Sequence, residues 1–112
     1  MKNDKIEKTK DLIPKDLKTD CYLLMSDGTK KSVIPESGSS FTLAELQSMV
    51  GGYIEPIFMG NLVIITNEDG RNHGLPYNDE ATKIYRNYYK TDDPNQFLVG
   101  NVLVCPSKML NN

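Results

Sequence analysis

Tryptophan is absent from this sequence, histidine occurs once and cysteine twice. A single histidine excludes the HExxH and HxH patterns from which many metal sites are built. Cys21 and Cys105 lie far apart without CxxC spacing, so they read as buried thiols in strands, not as a disulfide or metal ligands. No apolar run approaches the roughly 20 residues needed to cross a bilayer, and the lysine-rich beginning is not followed by a signal-peptide apolar region. A cytoplasmic protein with no membrane association is expected. A surplus of one charge is also missing. Thirteen lysines and arginines against fifteen acids leave a net charge of -2. A nucleic-acid binder concentrates positive charge on one face, so direct nucleic-acid binding is not expected, and -2 is too mild for a DNA mimic.

What is present is the material of one globular domain: 112 residues, 38% hydrophobic and 25% charged. Residues 1–20 carry six lysines and five acids in alternation and few apolar residues. They read as a flexible N-terminal lead-in, with Pro14 interrupting any helix. Residues 21–106 form the expected α+β domain and 107–112 a C-terminal tail.

Within the domain, Asp27-Gly28 between an apolar and a polar run predicts a hairpin with a two-residue type I′ turn. Thr42 and Glu45 have capping-box spacing. Leu43, Leu46 and Val50 fall on one helical face, and Gly51-Gly52 ends that helix in the left-handed cap conformation. YIEPIFM and LVIIT flank Gly60-Asn61 as a second hairpin. Pro56 places the first of these strands at an edge or bulge, and LVIIT reads as the central buried strand. Asn78 is an N-cap for a helix whose buried face is Ala81, Ile84, Tyr85 and Tyr88. A last strand follows Gly100. The predicted fold is α+β, a mostly antiparallel sheet of about five strands with two short helices packed on one face.

The stretch from LAELQSMVGGYIEPIF through LVIITNEDGRNHGLPYNDEAT to GNVLV resembles a small uncharacterised domain family of bacteriophages and bacterial mobile elements. The matching residues are Leu46, Gln47, Val50 to Glu55, Asn67, Glu68, Gly70, Gly74, Leu75, Pro76, Asn78, Ala81, Thr82 and Gly100, within about residues 41–105. The resemblance implies a phage or plasmid accessory protein acting in a bacterial cell, and no established reaction.

NEDGRNHGLPYN, residues 67–78, is the candidate site. As structure, it is a turn in which Asn and Asp bond their own backbone. A turn alone does not require Glu68, Arg71, His73 and Asn78 together. The candidate ligand-binding set is Tyr53, Asn67, Glu68, Asp69, Arg71, His73, Tyr77 and Asn78. In that set Arg71 would meet phosphate, Tyr53 or Tyr77 a base, and Asn67, Glu68 and Asn78 a ribose. His73 with Glu68, Asp69 and Asp79 lacks metal-site spacing, and Ser37, Ser39 and Ser40 read as loop residues, not nucleophiles. Gly51-Gly52 follows a helix instead of preceding one, so it is no phosphate loop. No cofactor, no metal and no catalytic set is expected.

The leading expectation is a counter-defence factor that sequesters a small nucleotide immune signal, as a homo-oligomer with its pocket between copies. Alternatively, the fold inhibits a host defence protein by direct binding through an edge strand or the tyrosine-bearing helix. A nucleotide hydrolase using His73 and Glu68 is the least supported of the three.

Overall fold

The computed structural model describes residues 21–110; the lead-in expected over residues 1–20 lies outside them. Strand β1 (Tyr22–Leu24) and strand β2 (Lys30–Ser32) form the first hairpin. Its turn differs from the expected type I′. The Met25 N–H donates to the Thr29 carbonyl and the Gly28 N–H to the Met25 carbonyl. Gly28 has a φ of 95° while Asp27 does not have a positive φ. A type I′ turn needs positive φ at both central residues, so the connection is the three-residue kind with glycine in the left-handed position. The Asp27 carboxylate accepts from the Thr29 N–H at 2.8 Å and closes the loop.

Helix α1 (Leu43–Val50) begins with the expected capping box. The Glu45 N–H donates to Thr42 Oγ1 at 3.1 Å and the Thr42 N–H to Glu45 Oε1 at 2.8 Å. These bonds, first from Thr42 and then from the Glu36 N–H, hold the Glu45 carboxyl below its ordinary pKa. Leu46 and Val50 are buried, but Leu43 is 58% exposed. Fully buried Phe41, two residues earlier, supplies the core side chain in its place. Only Gly51 takes the left-handed cap. Gly52 is needed for space instead, since a Cβ there would lie 2.9 Å from Asn67 Nδ2.

Strands β3 (Ile54–Met59) and β4 (Leu62–Asn67) pair around Gly60-Asn61 as expected. Helix α2 (Asp79–Tyr89) and strand β5 (Val102–Pro106) follow. Residues expected in the tail form a 3-10 turn at Ser107–Met109, and Leu110 bridges Phe41. The sheet order is β2-β1-β5-β4-β3, and every pairing within it is antiparallel. The centre is therefore β5, with the LVIIT strand β4 beside it. Pro56 lies on the edge strand, where its missing donor is tolerated.

The helices cover opposite faces, not one. Phe41, Leu46 and Val50 pack with Val63, Ile65, Leu103 and Cys105. Ala81 and Ile84 pack with Ile64, Val102 and Val104 on the other side. Successive strand side chains point to alternate faces, so the unbroken apolar runs of β4 and β5 need cover on both. The result is three layers.

One buried amide joins the layers at the start of α2. Asn78, fully buried, donates from Nδ2 to the carbonyls of Leu24 at 2.9 Å and Gly100 at 2.7 Å, and its Oδ1 accepts from the Ala81 N–H at 3.0 Å. Its own N–H donates to the Leu98 carbonyl. Cys21 and Cys105 are buried thiols, not joined in a disulfide, in the layer beneath α1. Hydrogen bonding with Cys21, and then burial, push the Cys105 thiol well above the ordinary range.

Replacing Asn78 with alanine is expected to cost about 2–4 kcal/mol, because a cap is lost and two buried carbonyls lose their donor. Urea unfolding reads this directly, and a loss under about 1 kcal/mol would contradict the assigned role. Neither cysteine should react with a thiol reagent at neutral pH before unfolding. Because the folded state keeps Cys105 protonated, this contribution is fully present below the free-thiol range near ~8.5 and is lost as pH rises above it. Denaturation midpoints measured at neutral and alkaline pH, with Cys105→Ala as control, test that sign.

Candidate functional site

A groove of about 410 Å³ opens on the α2 side of the sheet. Its floor is edge strand β3, through Glu55 and Ile57, and the end of β4, through Thr66 and Asn67. The turn after β4 supplies Glu68, Arg71 and Asn72, α2 supplies Tyr85, and the loop before β5 supplies Gln96, Phe97, Leu98 and Val99.

The turn is built by Asn67. Its Oδ1 accepts from the Asp69 N–H at 2.8 Å, an Asx turn, while Nδ2 donates to the Val50 carbonyl at 3.1 Å. The Gly70 N–H returns to the Asn67 carbonyl, and the His73 and Leu75 N–H groups donate to the carbonyls of Asp69 and Gly70. Arg71 projects from this compact turn toward the 91–98 loop. Its Nη2 donates to the carbonyls of Asn95 at 3.1 Å and Phe97 at 2.7 Å, and the guanidinium lies 4.1 Å from the Phe97 ring centroid. Tyr77 flanks the same ring at 5.8 Å. Two further side chains hold this wall: the Tyr85 hydroxyl donates to Gln96 Oε1 at 2.7 Å, and Arg86 Nε donates to the Gln96 carbonyl at 2.9 Å.

Of the eight residues singled out from sequence, the groove brings together Asn67, Glu68 and Arg71. Asn67 and Asn78 have their side-chain amides engaged with backbone groups, so both act on the fold and neither is free to read a ribose. Tyr53 is 69% exposed and lies outside the groove; its carbonyl accepts from the Glu68 N–H. Asp69 is half-buried in the Asx turn, and His73 is exposed on the turn, also outside the groove. Tyr77 stands behind Phe97. Glu55, Asn72, Tyr85, Gln96 and Phe97 were not among the candidates. Tyr85 read as a core residue from helical spacing, and no local pattern places Phe97 beneath an arginine 26 positions away.

The Nε and Nη1 groups of Arg71 make no hydrogen bond among the described residues, and no ion pair joins Arg71 to Glu55 or Glu68. The groove thus offers a guanidinium fixed in plane by an aromatic ring, two carboxylates, two amides and a tyrosine ring. Its described lining contains no serine, cysteine or histidine. No group of three or more possible metal ligands occurs among the described residues.

A family model described as "Domain of unknown function (DUF3846)" matches residues 21–109. No curated protein and no solved structure matches the chain.

Arg71 braces the groove wall, so Arg71→Ala should free the 91–98 loop. Faster amide hydrogen exchange confined to this loop, or faster chymotryptic cleavage after Phe97, is the expected result. Arg71→Lys should restore little, because an ammonium cannot reproduce the stacked plane that donates to both carbonyls. Unaltered exchange in the alanine variant would show that the loop does not depend on Arg71.

Proposed function

The chain belongs to the DUF3846 family, a domain of unknown function, and we propose that its groove is a non-catalytic binding site for a small nucleotide-type molecule. The observation that carries this reading is Arg71, stacked on Phe97 with part of its donor fork still unengaged beside two carboxylates and Tyr85. A pre-oriented guanidinium suits a phosphate. Carboxylates accept from ribose hydroxyls and base amino groups, and an aromatic face accepts a base. The volume of about 410 Å³ lies within the small-molecule range of ~300–1,000 Å³. Together with the resemblance to domains of phages and mobile elements, this supports a counter-defence role. In that role the protein would sequester a nucleotide immune signal inside a bacterial cell.

Two other readings have less support. Hydrolysis through His73 and Glu68 loses its base, because His73 lies outside the groove. Capture of a host protein by edge-strand pairing, one of the two routes to that reading beside the tyrosine-bearing helix, is opposed by both edges. The ladder register turns Ile54, Pro56 and Phe58 outward on β3, where Pro56 has no N–H and the Phe58 carbonyl already accepts from the Tyr89 hydroxyl at 2.9 Å. β2 is three residues long and bears Lys30 and Lys31.

A thermal-shift panel of cyclic dinucleotides, cyclic trinucleotides and ADP-ribose derivatives, with ATP and NAD as controls, tests the reading. A ligand at about 100 times its Kd adds roughly 2.7 kcal/mol to the folded state. A selective rise in Tm that survives His73→Ala is expected. No shift across the panel, with no nucleoside monophosphate bound either, would end the nucleotide reading and return a protein partner to first place.

A further inference from the structure

We propose that the groove selects the base-and-ribose end of its ligand and rejects phosphate beyond the first. Its occupant is then a nucleoside or nucleoside monophosphate unit with a guanine-like donor edge. This rests on the nucleotide reading above and adds its chemical class.

The basis is the balance of free donors and acceptors. Glu55 pairs with Thr66, and the Glu68 N–H bonds the Tyr53 carbonyl. The two glutamates are therefore diagonal neighbours on one face of the β3–β4 ladder, at a spacing of roughly 7–8 Å. Neither carboxylate has a hydrogen-bond or ion-pair partner among the described residues. Other polar lining groups are already engaged: the Thr66 hydroxyl donates to the Glu55 carbonyl, and the Tyr85 hydroxyl occupies Gln96 Oε1. What remains is four carboxylate oxygens against the Nε and Nη1 edges of one arginine, the amide of Asn72 and the Nε2 amino group of Gln96. Two formal negative charges face one positive.

A ligand that complements this lining donates more than it accepts. The N1–H and 2-amino groups of guanine point the same way and fit one carboxylate as a two-pronged donor, the geometry by which arginine meets carboxylate. A ribose diol can donate to the other. One phosphate finds Arg71; each further phosphate meets carboxylates of its own sign.

Calorimetric titration of the full chain with guanosine, GMP, GTP and AMP tests this. GMP should bind at least tenfold more tightly than GTP and more tightly than AMP. A Glu55→Gln, Glu68→Gln double variant, made at two exposed side chains, should weaken GMP tenfold or more and narrow the gap to GTP. GTP binding as tightly as GMP, or GMP binding unchanged in the double variant, overturns the proposal and leaves the nucleotide reading standing. So does silence from all four while a member of the wider panel raises Tm. Silence in both experiments removes the two together.

Discussion

The fold and its groove both depend on the carboxamide of Asn78. In one fully buried position it caps α2, ties that helix to the end of β1 through Leu24, and reaches the Gly100 carbonyl at the entry to β5. With its own N–H on the Leu98 carbonyl, it connects three segments far apart in sequence: the start of α2, the end of β1 and residues 98–100. An amide suits this place because it offers two donors and an acceptor without charge. Aspartate could cap the helix but would turn acceptor oxygens on two carbonyls. Leu98 and Val99 form part of the groove wall and α2 carries Tyr85, so the amide that orders the core also sets the distance across the groove.

Asn67 has the same role at the other end of the site. It ties the cap of α1 to the turn after β4 through Val50, and a glycine at position 52 leaves room for its side chain. Gly52, Asn67, Asn78 and Gly100 thus each have a structural use. The polar groups of the groove left unengaged among the described residues, Glu55, Glu68, Asn72 and part of Arg71, are arranged by this frame and sit on its surface. Such a division lets one scaffold present different chemistry at one place.

Closed edges favour the same assignment of work to the groove. Pro56 and the Tyr89 hydroxyl block the outer side of β3, and the lysines of β2 discourage pairing on the opposite side. Tyr89 reaches Phe58 from the end of α2, while Tyr85, its neighbour at 4.9 Å, lines the groove. One helix therefore covers a sheet edge and lines the groove.

Local signals had local causes and were legible in the residues themselves. Thr42 with Glu45, Gly51, Gly60-Asn61 and the Asn78 cap each act within a few positions, and so do the apolar runs that mark β3 and β4. The two hairpins, both helices and a place for Pro56 at an edge or bulge followed from them. The turn at Asp27-Gly28 was misread because the same dipeptide serves two loop lengths, and only the Leu24–Lys30 register separates them. Leu43 was placed inside by periodicity, which does not know that Phe41 fills that space. Which face each helix covers, the central place of β5, the positioning of Arg71 over Phe97 and the engagement of both asparagines needed the tertiary structure. They depend on partners 17 to 54 residues away along the chain. Sequence by itself determined an α+β domain and pointed to the turn at 67–78; the folded chain decided which polar groups there were already satisfied by distant backbone partners and which were left unengaged.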